Sequence, residues 1–182
     1  MPKSVCVYCG SRFGSMPAYR DAAEALGRAI AQEGWQLVYG GADVGLMGTL
    51  AKAAQEAGGE TFGVMPAHLI DMEIGKRDLT HFVVTQTMHE RKNIMLSNAD
   101  AVVLMPGGAG SLEEMFETLT WRQLGLHRKP ICILNTNGFW SPLLALVDHI
   151  IDQGFADASL RDFLETEETP ESLMVRLRDR LG

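Results

Sequence analysis

Cysteine is scarce in this chain, with only Cys6, Cys9 and Cys132 among 182 residues. That excludes a disulfide-stapled scaffold, which needs paired cysteines at high density. Cys6 and Cys9 form a C-x-x-C, but Val5-Cys6-Val7-Tyr8-Cys9 reads as a strand. Residues three apart on a strand point to opposite faces, so the pair makes a poor redox or metal site. Buried thiols are the expectation. Long apolar runs are missing too, and none approaches the roughly 18 residues of a membrane span. Met1-Pro2-Lys3-Ser4 leads into a strand without a signal-peptide pattern, so a cytoplasmic location and no membrane partner are expected. There is no excess of basic residues. The net charge of -7 and pI near 5.2 argue against a broad nucleic-acid surface. Low-complexity linkers and internal repeats are absent, which leaves one domain over 1–182.

What is present alternates. Short apolar runs are expected as strands at Ser4 to Cys9, Gln36 to Tyr39, Thr61 to Met65, Phe82 to Thr85, Ala101 to Met105 and Ile131 to Leu134, with Phe163 to Thr166 a candidate last one. Between them, helical spacing predicts helices over Pro17 to Gln32, up to Gly58-Gly59, Met88 to Ala99, Leu112 to Leu126, Trp140 to Gln153 and Pro170 to Leu181. This order implies an α/β Rossmann-like fold, a mostly parallel sheet with helices on both faces. Ligands in such sheets bind beyond the carboxyl ends of the strands. The loops at Gly10, Gly40-Gly41 and Gly107-Gly108 all follow strands, so they are expected to share one edge.

The most informative stretch is Pro106-Gly107-Gly108-Ala109-Gly110-Ser111-Leu112-Glu113-Glu114. A strand precedes it and a helix follows. Such a loop aims backbone N–H groups at an anion, and the helix N-terminus adds partial positive charge. Side chains at Gly107, Gly108 or Gly110 could block that approach. It is neither GxGxxG nor a Walker loop, but it is a candidate phosphate seat. Ser111 followed by Glu114 is equally a capping box, and the two readings are compatible.

On the helix from Met88, residues Met88, Arg91, Ile94, Met95 and Asn98 share one largely apolar face. A guanidinium there needs an anion, either a ligand or a structural carboxylate. Lys92 falls on another face, where a lysine is usually solvated. Met88, Met95, Met115 and Trp121 are candidates for an apolar slot or for plain core. The histidines His68, His81, His89, His127 and His149 are scattered, and no clustered ligand set calls for a metal or cofactor.

Together, Pro106 to Glu114 and Met88-His89-Glu90-Arg91-Lys92 resemble the P-G-G-x-G-T-x-x-E and M-H-x-R-K elements of the LOG (LONELY GUY) family. Those proteins are cytokinin riboside 5′-monophosphate phosphoribohydrolases, often mislabelled lysine decarboxylases. The resemblance extends to Cys9-Gly10-Ser11, Gly45-Leu46-Met47-Gly48 and Trp121-Arg122-Gln123-Leu124-Gly125. Ser111 stands where the family usually has Thr, and Ala67 to Asp78 follows the family less closely.

The resemblance implies hydrolysis of the N-glycosidic bond of a nucleoside 5′-monophosphate, plain or N6-modified AMP, to free base and ribose 5-phosphate. It implies Arg91 and Glu114 as the catalytic pair. Gly107, Gly108, Ala109, Gly110, Ser111, Leu112 and Glu113 would hold the phosphoribosyl part, with Lys92 close by. Glu73, Met88, Thr120, Ser11 and Gly41 complete the implied substrate-binding set. It also implies a homodimer, no cofactor and no metal. A carboxylate fits this chemistry, because breaking the bond develops oxocarbenium character on the ribose. The alternative is a non-catalytic nucleotide or molybdenum-cofactor carrier on the same fold. A decarboxylase would need a lysine marked for pyridoxal phosphate, and none stands out.

Overall fold

A computed structural model describes residues 2–70, 72 and 74–182. Its elements are β1 (Ser4–Tyr8), α1 (Pro17–Gln32), β2 (Gln36–Tyr39), α2 (Gly45–Glu56), β3 (Thr61–Pro66), β4 (His81–Thr85) and α3 (Met88–Ser97). They continue with β5 (Ala101–Leu104), α4 (Ala109–Gln123), β6 (Ile131–Leu134), α5 (Ser141–Asp152), α6 (Ser159–Asp162), β7 (Leu164–Glu167) and α7 (Pro170–Leu181). Single 3-10 turns occupy Ala67–Leu69 and Thr136–Gly138.

The seven strands form one sheet in the order β4-β3-β2-β1-β5-β6-β7, parallel at every pairing. The expectation of a mostly parallel sheet is therefore met throughout. The chain winds outward from β1 to β4, returns to place β5 beside β1, and winds outward again to β7. The direction of winding switches between β1 and β5. At such a point the loops leaving two neighbouring strands diverge and open a crevice.

Strand alternation divides the core. Val5, Val7 and Cys9 face α1, α2 and α7, where Leu26, Ile30, Leu50 and Leu177 are fully buried. Cys6 and Tyr8 face α3, α4 and α5, packing with Met95, Met115 and Val147. Cys6 and Cys9 thus lie on opposite sides of the sheet, as the period of two requires. All three cysteines are free and buried. On the first side α1 and α2 approach closely at Gly27, where a Cβ would come within 2.2 Å of the Leu50 carbonyl oxygen. Among the described residues no helix is long and apolar enough to cross a membrane.

Two helix starts differ from expectation. Gly108 is the N-cap of α4, with no side-chain cap bond, so Ser111 and Glu114 lie inside the helix and do not form a capping box. The glycines that open α4 carry no hydropathy signal, so periodicity detects the helix only from Leu112 onward. The true capping box belongs to α3. Glu90 N donates to Thr87 Oγ1 at 3.2 Å, and Glu90 Oε2 accepts from Thr87 N at 3.3 Å.

Candidate active site

The loops leaving β1, β2 and β5 meet over the switch point, as their sequence placement predicts. Gly10 N donates to the Pro106 carbonyl at 3.0 Å, and Leu46 N donates to that of Gly10 at 3.1 Å. These bonds tie the three loops around a cavity of about 450 Å³. That volume lies within the roughly 300–1,000 Å³ usual for small-molecule sites. Gly10, Ser11, Gly40, Gly107, Gly108, Ala109, Gly110, Ser111, Arg91 and Glu114 all contribute to its wall.

The glycines of the β5–α4 loop have different reasons to be glycine. A Cβ on Gly107 would sit 2.1 Å from Ser111 Oγ and 3.0 Å from Gly10 N, so the fold itself requires Gly107. A Cβ on Gly108 or Gly110 would meet no protein atom within 4 Å, and neither residue has a left-handed φ. Both are exposed on the cavity wall. No steric contact within the protein demands glycine there, and the space in front of both is open to the cavity. The helical ladder begins with Leu112 N donating to Gly108 O at 3.1 Å. The amides of Ala109, Gly110 and Ser111 precede that bond at the positive end of α4.

Arg91 enters from α3 and is 5% exposed. Its Nε donates to the Val64 carbonyl at 3.0 Å and its Nη2 to that of Gly40 at 2.8 Å. Two backbone carbonyls thus fix the plane of the guanidinium at the cavity wall. Glu114 is half-buried, one turn of α4 beyond Ser111. Its helical turn is anchored to β1 by Thr118 Oγ1, which donates to the Glu114 carbonyl at 2.9 Å and lies 3.0 Å from Tyr8 Oη. Burial pushes the Cys6 and Cys9 thiols up, and the Glu114 carboxylate adds to the rise. Burial likewise raises the Tyr8 phenol. All three stay protonated at neutral pH, so neither thiol is a nucleophile here.

Lys92 is not the solvated charge its helical position suggested. It is 3% exposed, and its Nζ lies 2.5 Å from Glu113 Oε1 and 2.8 Å from Glu117 Oε2. Burial alone would lower its pKa, but the two carboxylates outweigh it and hold Lys92 above the ordinary lysine range. Gly41, Met88, Lys92, Leu112, Glu113 and Thr120 all lie outside the cavity lining. Met88 is nonetheless adjacent, with its sulfur 4.0 Å from Arg91 Nη1. Glu73 lies outside the described residues. Of the candidate apolar-slot residues, Met95 lines the cavity, Met115 is fully buried core, and Trp121 lines a second hollow beside α3 and α4.

Further lining residues are absent from the expected site set, Leu46 and Met47 among them although they fall in a stretch that carries the family resemblance. Arg12, Phe13, Gly14 and Tyr19 come from the β1–α1 segment, Leu46 and Met47 from α2, and Phe139 from beyond β6. The only sequence signal for Arg12 and Phe13 is their place in a glycine-bounded loop that leaves a strand.

A parallel Rossmann-like sheet with an anion-accepting helix N-terminus, a carboxylate and a guanidinium at its switch point defines a protein built for a small phosphorylated ligand. Comparison with known proteins narrows the class. Residues 47–177 match the family model described as "Possible lysine decarboxylase". A cytokinin riboside 5′-monophosphate phosphoribohydrolase of Rhodococcoides fascians is 47% identical over 88% of this chain and 81% of its own. The cytokinin riboside 5′-monophosphate phosphoribohydrolase LOG of Oryza sativa subsp. japonica is 38% identical over 97% of this chain and 73% of its own. The chain belongs to this LOG family. Among solved structures, the molybdenum cofactor binding protein of Rippkaea orientalis superposes with a TM-score of 0.77 at 23% identity, over 100% of this chain and 99% of its own. At that identity it establishes the shared fold alone. Among the described residues no lysine lines the cavity, which leaves the family model's description without the Schiff-base amine it would need.

Proposed function

We infer that this chain hydrolyses the N-glycosidic bond of adenosine 5′-monophosphates, N6-modified ones included, releasing the free base and ribose 5-phosphate. The observation that carries this reading is the meeting of Glu114, Arg91 and the amide end of α4 in one cavity, in a chain whose relatives are named for that reaction. The amides of Ala109 to Ser111 take the phosphate. Glu114, beyond them, lies toward the ribose. As the bond from C1′ to the base nitrogen breaks, its electron pair leaves with the base, which gains a proton. A water oxygen bonds to C1′ and gives up a proton to Glu114, which releases it again to match the one the base takes up, and the carboxylate's negative charge also stabilises the oxocarbenium-like ribose. Arg91, fixed by Gly40 and Val64, orients the substrate against that carboxylate.

Glu113 and Thr120 lie outside the cavity of their own chain, on the exposed surface of α4, with Lys92 holding Glu113 and Glu117 from beneath. A homodimer through the α3–α4 surface gives these residues a site to serve. Leu124 and Leu126, 67% and 69% exposed at the end of α4, supply apolar area for it. Free, buried thiols fit a reducing cytoplasm.

The test is a product analysis. Purified protein is incubated with AMP, isopentenyladenosine monophosphate and both dephosphorylated ribosides, and the products are resolved chromatographically. Free base and ribose 5-phosphate from the monophosphates alone are expected. Binding without release of base would move the chain to a carrier role.

A further inference from the structure

We propose that Arg12 is the side chain that carries the positive charge for the substrate's phosphate. This rests on the reading of the cavity as a nucleoside monophosphate site and assigns a residue that the family motifs do not contain.

The argument is one of charge. A phosphate monoester carries about -1.5 to -2 at neutral pH. The N-terminus of α4 offers about +0.5. Glu114 and Arg91 bring opposite charges to the same cavity and offset one another. A dianion seated on the α4 amides therefore needs a side-chain cation close by. Lys92, which the family resemblance places near the phosphate, is buried against two carboxylates and lies outside the lining. Arg91 lines the cavity but is held in place by its bonds to Gly40 and Val64, at the wall that the β2 loop forms.

Arg12 is the other cation in the lining. It is exposed, and among the described residues its side chain has no hydrogen-bond or ion-pair partner. Its backbone packs closely against Gly45 and Gly10. A Cβ on Gly45 would lie 2.4 Å from Arg12 N, and one on Gly10 would lie 3.1 Å from Arg12 O. Gly10, two residues before it, is bonded through its N to the Pro106 carbonyl and through its carbonyl to Leu46 N, so Arg12 follows directly from the point where the three loops meet. A closely packed main chain with an unpaired, exposed guanidinium in the cavity lining suits a residue that folds onto the ligand when it arrives. The planar fork then matches two phosphate oxygens, which a lysine cannot do.

The experiment is calorimetric titration of wild type, Arg12→Ala and Arg12→Lys with ribose 5-phosphate, with AMP cleavage assayed in parallel. Arg12→Ala is expected to weaken ribose 5-phosphate about 10- to 100-fold, the usual worth of hydrogen bonds to a charged group. Arg12→Lys should fall between the two, keeping the charge and losing the fork. Equal affinity in wild type and Arg12→Ala overturns the proposal, and so does a wild type that binds no ribose 5-phosphate. A wild type that binds ribose 5-phosphate through Arg12 but leaves AMP intact sustains the proposal and removes the hydrolase reading.

Discussion

Arg91 Nη2 donates to the carbonyl oxygen of Gly40 at 2.8 Å, and a Cβ on Gly40 would fall 2.2 Å from that same nitrogen. The β2 loop thus positions the guanidinium twice, by offering an acceptor and by having no side chain. Gly40→Ala should therefore act on Arg91 rather than on the fold. The atoms it strikes are the Arg91 guanidinium and, at 3.0 Å, the Met47 sulfur, side-chain ends rather than backbone, and the φ of Gly40 is not left-handed. Turnover of AMP is expected to drop about 100-fold, the scale of a 1 Å misplacement in an active site. The urea midpoint should move little. A large loss of stability with normal turnover per folded molecule would show that the contact is only structural.

Glu114 provides a cleaner separation of fold from chemistry than a capping residue would. It lies three residues beyond Ser111 in a helix whose N-cap is Gly108, so it is not the N3 partner of a capping box at Ser111. Glu114→Gln keeps size and helix propensity while removing the charge. We expect kcat for base release to fall about 10²- to 10⁴-fold, the range of a lost general base. The KM for AMP and the circular dichroism spectrum should be almost unchanged. Full activity in this variant would remove Glu114 from the catalytic pair.

The parts of this molecule legible in the sequence are those where one element explains itself. Pro17–Gln32, Ile131–Leu134 and Pro170–Leu181 have the bounds that their periodicity predicts, because apolar runs and stripes end at clear breakers. The four-residue helix Ser159–Asp162 and the turn at Ala67–Leu69 are too short to show a period. Lys92 departs from its helical pattern for a different reason. Helical spacing places a residue on a face of its own helix and says nothing about Glu113 and Glu117 arriving from α4. Of the cavity, the glycine loops and the Arg91 face were visible as patterns, whereas the pairing of Arg91 with Glu114 came only from the family resemblance. Arg12 and Phe139 became visible only when the sheet order brought their loops together.

Lys92→Met tests the corrected view of that lysine. A methionine fills most of the volume but leaves Glu117, which is 22% exposed, without its cation. Stability should fall by about 1–3 kcal/mol, with kcat changed less than tenfold. The sign with pH follows from the raised lysine. Its contribution is fully present below the ordinary lysine range and is lost as pH rises through its raised folded value. The gap between wild type and variant should therefore stay constant from about pH 6 to 9. A collapse in AMP affinity with unaltered stability would instead return Lys92 to the substrate site.

His127 should set the first loss of stability on acidification. Its Nε2 lies 2.9 Å from the Thr118 carbonyl, and its Nδ1 accepts from Lys129 N at 3.2 Å, so the neutral ring fits both partners. A second proton would remove the acceptor. Burial lowers the pKa of His127, and the Arg122 and Lys129 cations add to the fall against the opposing Thr118 contact. The unfolded chain therefore binds the proton more readily than the folded one. The contribution of His127 is present above about pH 6.5 and is lost as pH falls from there through its lowered folded value. Glutamine at this position keeps a donor for Thr118 and does not titrate. Urea midpoints of wild type should be level above about pH 7 and decline below about pH 6.5, while those of His127→Gln stay nearly flat over the same range. Asp78, held low chiefly by its hydrogen bond to Lys76, begins to protonate only at more acidic pH and does not confuse the comparison. Parallel declines in the two proteins would mean that His127 is charged in the folded state and that its ring does not accept the Lys129 amide.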